Sequence, residues 1–336
     1  MNRSAGNPLI SIIIPLLEIN DYVRESIPQI LELDYDNFEI ILLPDKNTSE
    51  TFPKTRIIPS ITSNPSLKRN LGVKNARGEI VAFLDDDAYP KASWLKNSLK
   101  NFHAKDVVAV GGPAITPQSD SVLQKASAAV SETFIGGGKV RNRFIPIGKV
   151  QEIDDWPSVN LLVRRDIFVK TGGFDTKYWP GEDTKLCLEL LKFGKILYAP
   201  NVQVYHHRRA SLVKHLRQNG NYGLHRGHFA KKYPKNSLKF FYLVPSFFSI
   251  YLLIGILLLL IPYTLSLTPY YFIPLLLYFV IMFWELIFVS IRYKNPLVGI
   301  AAIPYIIGTH FYYGLRFIKG YFSSDISSAT HSKKSQ

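Results

Sequence analysis

Asp85, Asp86 and Asp87 stand side by side directly after the apolar run Ile80–Leu84. Three adjacent carboxylates repel one another, so a cation is their natural partner. Hard divalent ions such as Mg2+ or Mn2+ take oxygen ligands and bridge substrate phosphates. Alternate residues of an extended segment point the same way, so Asp85 and Asp87 can share one target. Taken alone, the triplet suits a metal site and a solvated acidic turn equally. A second acidic pair, Glu182 and Asp183, follows Gly181 at the start of an expected helix. There it either complements the helix dipole, the commoner role, or holds a general base near an acceptor hydroxyl. His206, His207, Arg208 and Arg209 form a third group. Histidine can complete a metal site and arginine can clamp a diphosphate, while the same run can serve as a basic patch facing anionic lipid. Lys68–Asn70 opens a helix, where backbone N–H groups favour anions. The chain has no phosphate-loop glycine pattern, no GxGxxG and no HExxH. Its single cysteine, Cys187, excludes an internal disulfide framework and a cysteine-rich zinc site.

The hydrophobic pattern supplies the elements that must carry these groups. Leu9–Pro15 is a β-branched run of the kind buried on both faces of a sheet. Asn20 or Asp21 caps a helix to about Leu33. Phe38–Leu43 is a second buried strand, ending at Pro44–Asp45, and Ile57–Ile58 marks a third. Ser66–Arg77 reads as a helix stopped by Gly78, and Glu79–Leu84 as the strand that ends on the acidic triplet. Asn160–Val163, Ile196–Tyr198 and Val202–Tyr205 are short strands. Gly136–Gly138 marks a flexible turn, Asp154–Pro157 a loop and Gly172–Asp175 a turn, while Gly181–Asp183 opens a helix to about Phe193. Strand and helix alternate, which predicts an α/β domain, Rossmann-like, with a mostly parallel central sheet and helices on both faces. Ligands in such folds bind at the carboxyl ends of strands, where Asp45 and Asp85–Asp87 lie.

The 336 residues are 47% hydrophobic and 20% charged, enough apolar surface to exclude a disordered chain. A net charge of +14 points to a polyanionic partner: nucleic acid, acidic lipid or a phosphate-bearing substrate. The charge is unevenly spread. No acidic residue occurs between Glu189 and Glu285, an interval rich in lysine and arginine up to Lys239. From Phe240 to Ile291 the only charged side chain is Glu285. A membrane-spanning helix needs about 20 apolar residues; the segments at about 241–261 and 269–291 fit, joined by the uncharged link Pro262–Thr268. A third segment, about 297–318, contains His310, Arg316 and several glycines, and either crosses or lies in the interface. The expected organisation is a cytoplasmic domain over 1–239, in which 206–239 is a basic juxtamembrane segment. A membrane domain of two to three helices over 240–320 and a polar tail over 321–336, carrying Lys333 and Lys334, complete it. The basic cluster before Phe240, with Arg292 and Lys294, is expected on the cytoplasmic side of the cell (inner) membrane, with several passes through it. Leu9–Leu17 is too short for a signal peptide and lacks a cleavage site.

In their order along the chain, Ile12–Pro15, Asp45, Lys68–Gly72 with Ala76–Gly78, Phe83–Asp87, Gly172–Asp175 and Gly181–Asp183 resemble the motif series of family 2 glycosyltransferases of the GT-A fold. The likeness covers about residues 8–230. With its C-terminal apolar segments the chain is similar to bacterial and archaeal membrane enzymes of polysaccharide and glycolipid assembly, including glucosyltransferases of the succinoglycan type. The resemblance implies a nucleotide-sugar donor (a UDP- or GDP-sugar), Mn2+ or Mg2+, and inversion at the anomeric carbon. It places Pro15, Glu18, Asp45, Arg69, Asp85 and Asp86 on the nucleotide sugar, and Asp87 on the metal with His206 or His207 beside it. Asp183 would be the base that deprotonates the acceptor, with Trp156, Glu182, Arg208 and Arg209 on the acceptor or diphosphate side.

Three departures from the family pattern stand out. Leu16–Asn20 replaces a small polar stretch ending in Asn-Glu, Pro44–Ser49 carries one carboxylate where a pair is usual, and the QxxRW signature of processive synthases is absent. The last implies one sugar added per encounter. The expected partners are a nucleotide sugar, a lipid-linked or glycan acceptor and anionic membrane lipid, and not nucleic acid. Three alternatives remain open: a polyprenyl-phosphate acceptor, which needs no carboxylate base, a membrane-bound anion-binding protein without catalysis, and a degenerate transferase acting as a scaffold, which the altered nucleoside loop allows.

Overall fold

The structure is a computed structural model that describes residues 7–261 and 268–326. The link at 262–267 and the tail at 327–336, with Lys333 and Lys334, lie outside the described residues. The chain divides into two compact units: Met1–Pro117 with Asn142–His207, and Gln118–Arg141 with Arg208–Gln336. The division therefore falls after His207 rather than at residue 239, and it takes a segment from the middle of the expected N-terminal domain. The reason is apolar: Ala126, Ala129 and Val130 share a core with Val289, Val298 and Ala302.

The strands of the first unit are β1 (Ile10–Pro15), β2 (Phe38–Leu43), β3 (Thr55–Ile57), β4 (Ile80–Phe83), β5 (Ala88–Pro90), β6 (Val107–Gly111), β7 (Ala114–Ile115), β8 (Gln151–Ile153), β9 (Leu161–Arg164), β10 (Lys195–Tyr198) and β11 (Val204–His206). Its helices are α1 (Asp21–Leu31), α2 (Pro65–Asn75), α3 (Trp94–Leu99), α6 (Arg165–Lys170) and α7 (Glu182–Leu190). One sheet has the order β3-β2-β1-β4-β9-β6-β10-β8. Strands β3, β2, β1 and β4 run parallel, as do β6 and β10. Strand β9 is antiparallel to both β4 and β6, and β8 is an antiparallel edge. The domain is thus mixed α/β with a large, mostly parallel central sheet. The reversal of β9 is not legible in an apolar run, because buried strands of either direction read alike.

The alternation of strand side chains builds a core on each face of this sheet. Ile12, Ile14, Ile40 and Leu42 pack with Val23, Ile27 and Ile30 of α1 on one side. Ile13, Ile41 and Leu43 pack with Val73 of α2 and with Leu186 and Leu190 of α7 on the other. Asn20 caps α1 by accepting from the Val23 N–H at 3.0 Å, and Asn64 caps α2. Helix α2 stops at Asn75, earlier than expected, and Gly78 is not its cap. A side chain at Gly78 would meet Leu9 O and Ser11 N at 2.7 Å, so glycine there permits close passage of β1. A small second sheet, β5-β11-β7, has β11 antiparallel to β5 with His206 opposite Ala88.

The second unit holds α4 (Val122–Glu132), α5 (Phe134–Gly137), α8 (Leu212–Lys232), α9 (Pro234–Ser237), α10 (Phe240–Leu259), α11 (Thr268–Tyr271), α12 (Ile273–Tyr293) and α13 (Pro296–Phe322). The stretches Phe240–Leu259, Pro269–Tyr293 and Pro296–Phe322 are long and apolar enough to cross a membrane. Helix α8, the body of the basic segment, is not simply a surface strip. Its Gly220, Gly223 and Gly227 admit Tyr312, Tyr313 and Phe317 of α13, and His215 bridges Ser127 at 2.7 Å and Thr309 at 2.8 Å. The lone charge of the apolar run also has a task. Glu285 accepts from the Phe134 N–H at 2.8 Å and the Ile135 N–H at 3.3 Å, so it satisfies donors at the exposed end of α5. Gly136 and Gly137, expected as a flexible turn, close that short helix instead.

Candidate active site

Strand β4 delivers Asp85 to the carboxyl edge of the sheet, and a turn closed by Ala88 N–H to Asp85 O at 3.2 Å returns the chain into β5. Strand β11 lies alongside, and its His206 Nε2 reaches Asp87 Oδ1 at 3.0 Å. One ligand atom each from Asp85, Asp87 and His206 lie within 4.8 Å of one another. Two carboxylate oxygens and one imidazole nitrogen form a donor set that suits Mn2+, and Mg2+ less well because of the nitrogen. The residues therefore fit a divalent ion. His207, just past the end of β11, is not among the grouped ligand atoms. Its Nε2 lies 3.0 Å from Glu25 Oε2 and its ring stacks on Tyr22 at 4.6 Å between centroids.

Gly181 has φ +119°, a conformation that favours glycine, and it turns the chain into α7 with Glu182 and Asp183 in the first helical turn. Arg69 of α2, 5% exposed, joins the two acidic groups. Its Nη2 donates to Asp85 Oδ1 at 2.7 Å and its Nη1 to Glu182 Oε1 at 3.3 Å. A single guanidinium thus joins the acidic triplet to the Gly-Glu-Asp turn. Arg69, expected on the base or diphosphate, spends its fork on these carboxylates. Burial raises the carboxyl of Asp183 above its ordinary range, opposed by Arg69 and by hydrogen bonds from Ser158. Burial, then the charge of Asp183, raises Glu182 likewise. Asp183 Oδ1 and Glu182 Oε2 are buried without a hydrogen-bond partner among the described residues. Buried polar atoms left so are uncommon and fit a place where substrate groups bind.

The surrounding residues sort into supports and outliers. Thr184 Oγ1 donates to Asp155 Oδ1 at 2.9 Å, and Arg143 pairs with Asp155 Oδ2 at 3.2 Å, steadying the start of α7 from behind. Trp156, expected on the acceptor side, is instead a core residue, 1% exposed. Its Nε1–H donates to Gly112 O at 3.2 Å, and its backbone N–H to Cys187 Sγ at 3.3 Å. Pro15 is buried at the end of β1. Asp45, just past β2, pairs with the buried Lys68. Asp86 Oδ2 accepts from Asn20 Nδ2 at 3.0 Å, which ties the triplet to the cap of α1. Glu18 is exposed. Arg208 and Arg209 open the second unit, where the Arg208 N–H donates to Asp120 Oδ2 at 3.2 Å. Sequence reasoning missed Ser158, Asp155 and the pairing of Lys68. Only Lys68 left a signal: it lies four residues before Gly72, hence on the same helical face, and Gly72 packs against Ile13 and Leu43.

Residues 11–170 match the model of glycosyl transferase family 2, so the chain carries a domain of that family. It is similar to the O-antigen biosynthesis protein RfbC of Myxococcus xanthus, with 27% identity over 231 residues, covering 61% of this chain and 18% of RfbC. It is also similar to a dolichyl N-acetyl-alpha-D-glucosaminyl phosphate 3-beta-D-2,3-diacetamido-2,3-dideoxy-beta-D-glucuronosyltransferase of Methanococcus voltae, with 26% identity over 247 residues, covering 66% of this chain and 74% of the relative. The chain thus spans less than a fifth of the first relative's length and about three quarters of the second's. Among solved structures, the mannosyltransferase PcManGT from Pyrobaculum calidifontis, in complex with GDP-Man and Mn2+, aligns with a TM-score of 0.48 and 19% identity, over 66% of this chain and 64% of that one.

Proposed function

We propose that the chain is a membrane-anchored, inverting glycosyltransferase that moves a sugar from a UDP- or GDP-sugar to a hydroxyl of a lipid-linked or glycan acceptor. The observation that carries this reading is the Arg69 bridge, which pairs with both Asp85 and Glu182 and so brings the stretches carrying Asp87 and Asp183 together. Pro15, Asp45 and Asp86 line the nucleoside end. Asp85, Asp87 and His206 would hold Mn2+ or Mg2+, whose charge offsets that of the departing diphosphate. The unpaired Oδ1 of Asp183 faces the acceptor. As the acceptor oxygen attacks the anomeric carbon, the bond from that carbon to the diphosphate oxygen breaks, and the acceptor proton passes to Asp183. Its raised affinity for protons suits a group that must receive one. A single displacement inverts the anomeric configuration.

Three helices long enough to span a bilayer support an acceptor that is itself membrane-bound. The Methanococcus relative is named for a dolichyl-phosphate-linked sugar, which favours the hydroxyl of a lipid-linked sugar. The basic run up to Lys239 supports a cytoplasmic first unit at the inner membrane, near anionic lipid. The test uses the full chain in nanodiscs with a panel of UDP- and GDP-sugars and Mn2+ or Mg2+, reading nucleotide release and the product anomer. Inverted product is expected, with turnover lost on Asp87→Asn and on chelation. Retained configuration, or an Asp87→Asn enzyme with unchanged metal dependence, contradicts the proposal.

A further inference from the structure

Helix α13 is packed along its length by helices that carry charge. The Tyr305 hydroxyl donates to the Ala210 carbonyl oxygen, just ahead of α8, at 2.6 Å, and Arg316 Nη2 donates to Asn221 Oδ1 at 3.0 Å. Gly308 faces Leu216, Gly220 faces Tyr312, and Gly227 and Gly320 let the two backbones approach at the far end. Residue numbers rise together in these pairs, so α8 runs parallel to α13 from Tyr305 onward. Arg217 of α8 is therefore level with residues 308–312, the middle of α13. It is exposed, as are Lys214, Lys231 and Lys232. If α13 crossed a bilayer, Arg217 would stand near the centre of the hydrocarbon, where a charged side chain is costly and rare. The part of α13 ahead of Tyr305, residues 296–304, is about 13 Å long at 1.5 Å per residue, too short for a core of about 30 Å. There Val298 and Ala302 pack with Ala126 and Ala129 of α4.

The opposite face of α13 is apolar. At 3.6 residues per turn, Ile300, Pro304, Phe311, Leu315 and Phe322 fall in one stripe about 60° wide, and all are exposed or half-buried. Val298, Ala302, Thr309, Arg316 and Gly320, which meet α4 and α8, lie on the other side of the helix. A helix with charged neighbours on one face and an apolar stripe on the other suits the plane of a membrane interface. We propose that α13 lies in that plane, with its stripe on the acyl boundary and α4 and α8 toward water, so that the chain crosses the bilayer twice, through α10 and α12. The partner of the stripe is lipid. The stripe adjoins the apolar helix α10, whose Ser246 hydroxyl donates to Gly314 O at 3.2 Å, and the exposed cations of α8 complement an anionic headgroup layer. Both ends of α13 then lie on the side of Lys239. The proposal rests on the membrane anchoring proposed above and adds the number of passes.

The test labels single cysteines on the full chain with a membrane-impermeant maleimide, in spheroplasts and in inverted vesicles. The wild type gives the blank, because its only cysteine, Cys187, is buried. Lys294→Cys and Ser324→Cys mark the two ends of α13, and Tyr270→Cys marks α11, between the two spans; all three positions are exposed. Tyr270→Cys should label in spheroplasts only, and Lys294→Cys and Ser324→Cys in inverted vesicles only. Labelling of Lys294→Cys and Ser324→Cys from opposite sides overturns the proposal and leaves the anchor of α10 and α12 standing. Labelling of Tyr270→Cys and Lys294→Cys from the same side overturns both. A second reading guards against a misfolded variant: spin labels on Ile300→Cys and Phe322→Cys, in liposomes, should report depths within about one turn, 5 Å, of each other. A spanning α13 sets them about 33 Å apart, and a depth difference of that order overturns the proposal.

Discussion

Replacing Arg69 by Met removes the one side chain that pairs with both Asp85 and Glu182. Breaking a fully buried ion pair costs about 3–5 kcal/mol, but neither half here reaches that limit. Asp85 keeps 29% side-chain exposure, so water recovers part of its loss and the residue is about 1 kcal/mol. Glu182 keeps 7%, but burial already favours its protonated form, so it takes up a proton rather than remain an unpaired charge. What it loses is then a hydrogen bond in a buried place, about 1–3 kcal/mol. The sum is about 2–4 kcal/mol, which for a domain of this size lowers the apparent melting midpoint by roughly 5–15 °C. Thermal unfolding followed by circular dichroism on the full chain reads it. The sign of the pH dependence follows from the raised carboxyl. A folded state that holds the proton more tightly than the unfolded chain is favoured at low pH and loses that advantage as pH rises through the folded value. The deficit of Arg69→Met should therefore be smaller at pH 5 than at pH 8, and Glu182→Gln added to it should restore part of the midpoint at pH 8. A variant melting within about 2 °C of wild type at pH 8, or a deficit that shrinks as pH rises, refutes the bridge as the support that joins Asp85 to Glu182.

Ile61 has φ +55° and is 93% exposed, a strained setting for a β-branched residue. Ile61→Gly should raise the melting midpoint by a few degrees, from about 1 kcal/mol of relieved strain; a lower midpoint would show that the side chain stabilises its loop. With Asp183 as the proposed base, its raised carboxyl should set the acid limb of activity. A base works deprotonated, so kcat should fall as pH drops through a value above the ordinary aspartate range of about 4, and a flat profile down to pH 4.5 would be the contrary result.

Much of this was legible in the sequence because it is written in short-range pattern. Ile10–Pro15 and Phe38–Leu43 are apolar runs without helical period, and both are strands in the central sheet. The three apolar stretches after Phe240 appear as helices with ends shifted by a few residues. What stayed hidden depends on long-range pairing. His206 and His207 are alike in sequence, and only the register of β11 against β5 sends the first to Asp87. Trp156 lies in the expected loop Asp154–Pro157, on the expected acceptor or diphosphate side. It is core because Gly111 leaves room for its ring. Residues 118–141 sit in the sequence of the expected N-terminal domain, yet their small apolar side chains fit the packing of α12 and α13. Ser158 carries no motif and acquires meaning only beside Asp183.

The most direct measurement is a paired one on Asp183→Asn: calorimetric binding of the donor nucleotide with Mn2+, and sugar transfer to a lipid-linked acceptor. A base on the acceptor side predicts nucleotide affinity within about twofold of wild type together with a fall in kcat of about 10²–10⁴. Transfer at the wild-type rate, as for an acceptor that is already an anionic phosphate, would contradict the assignment of Asp183 as the base.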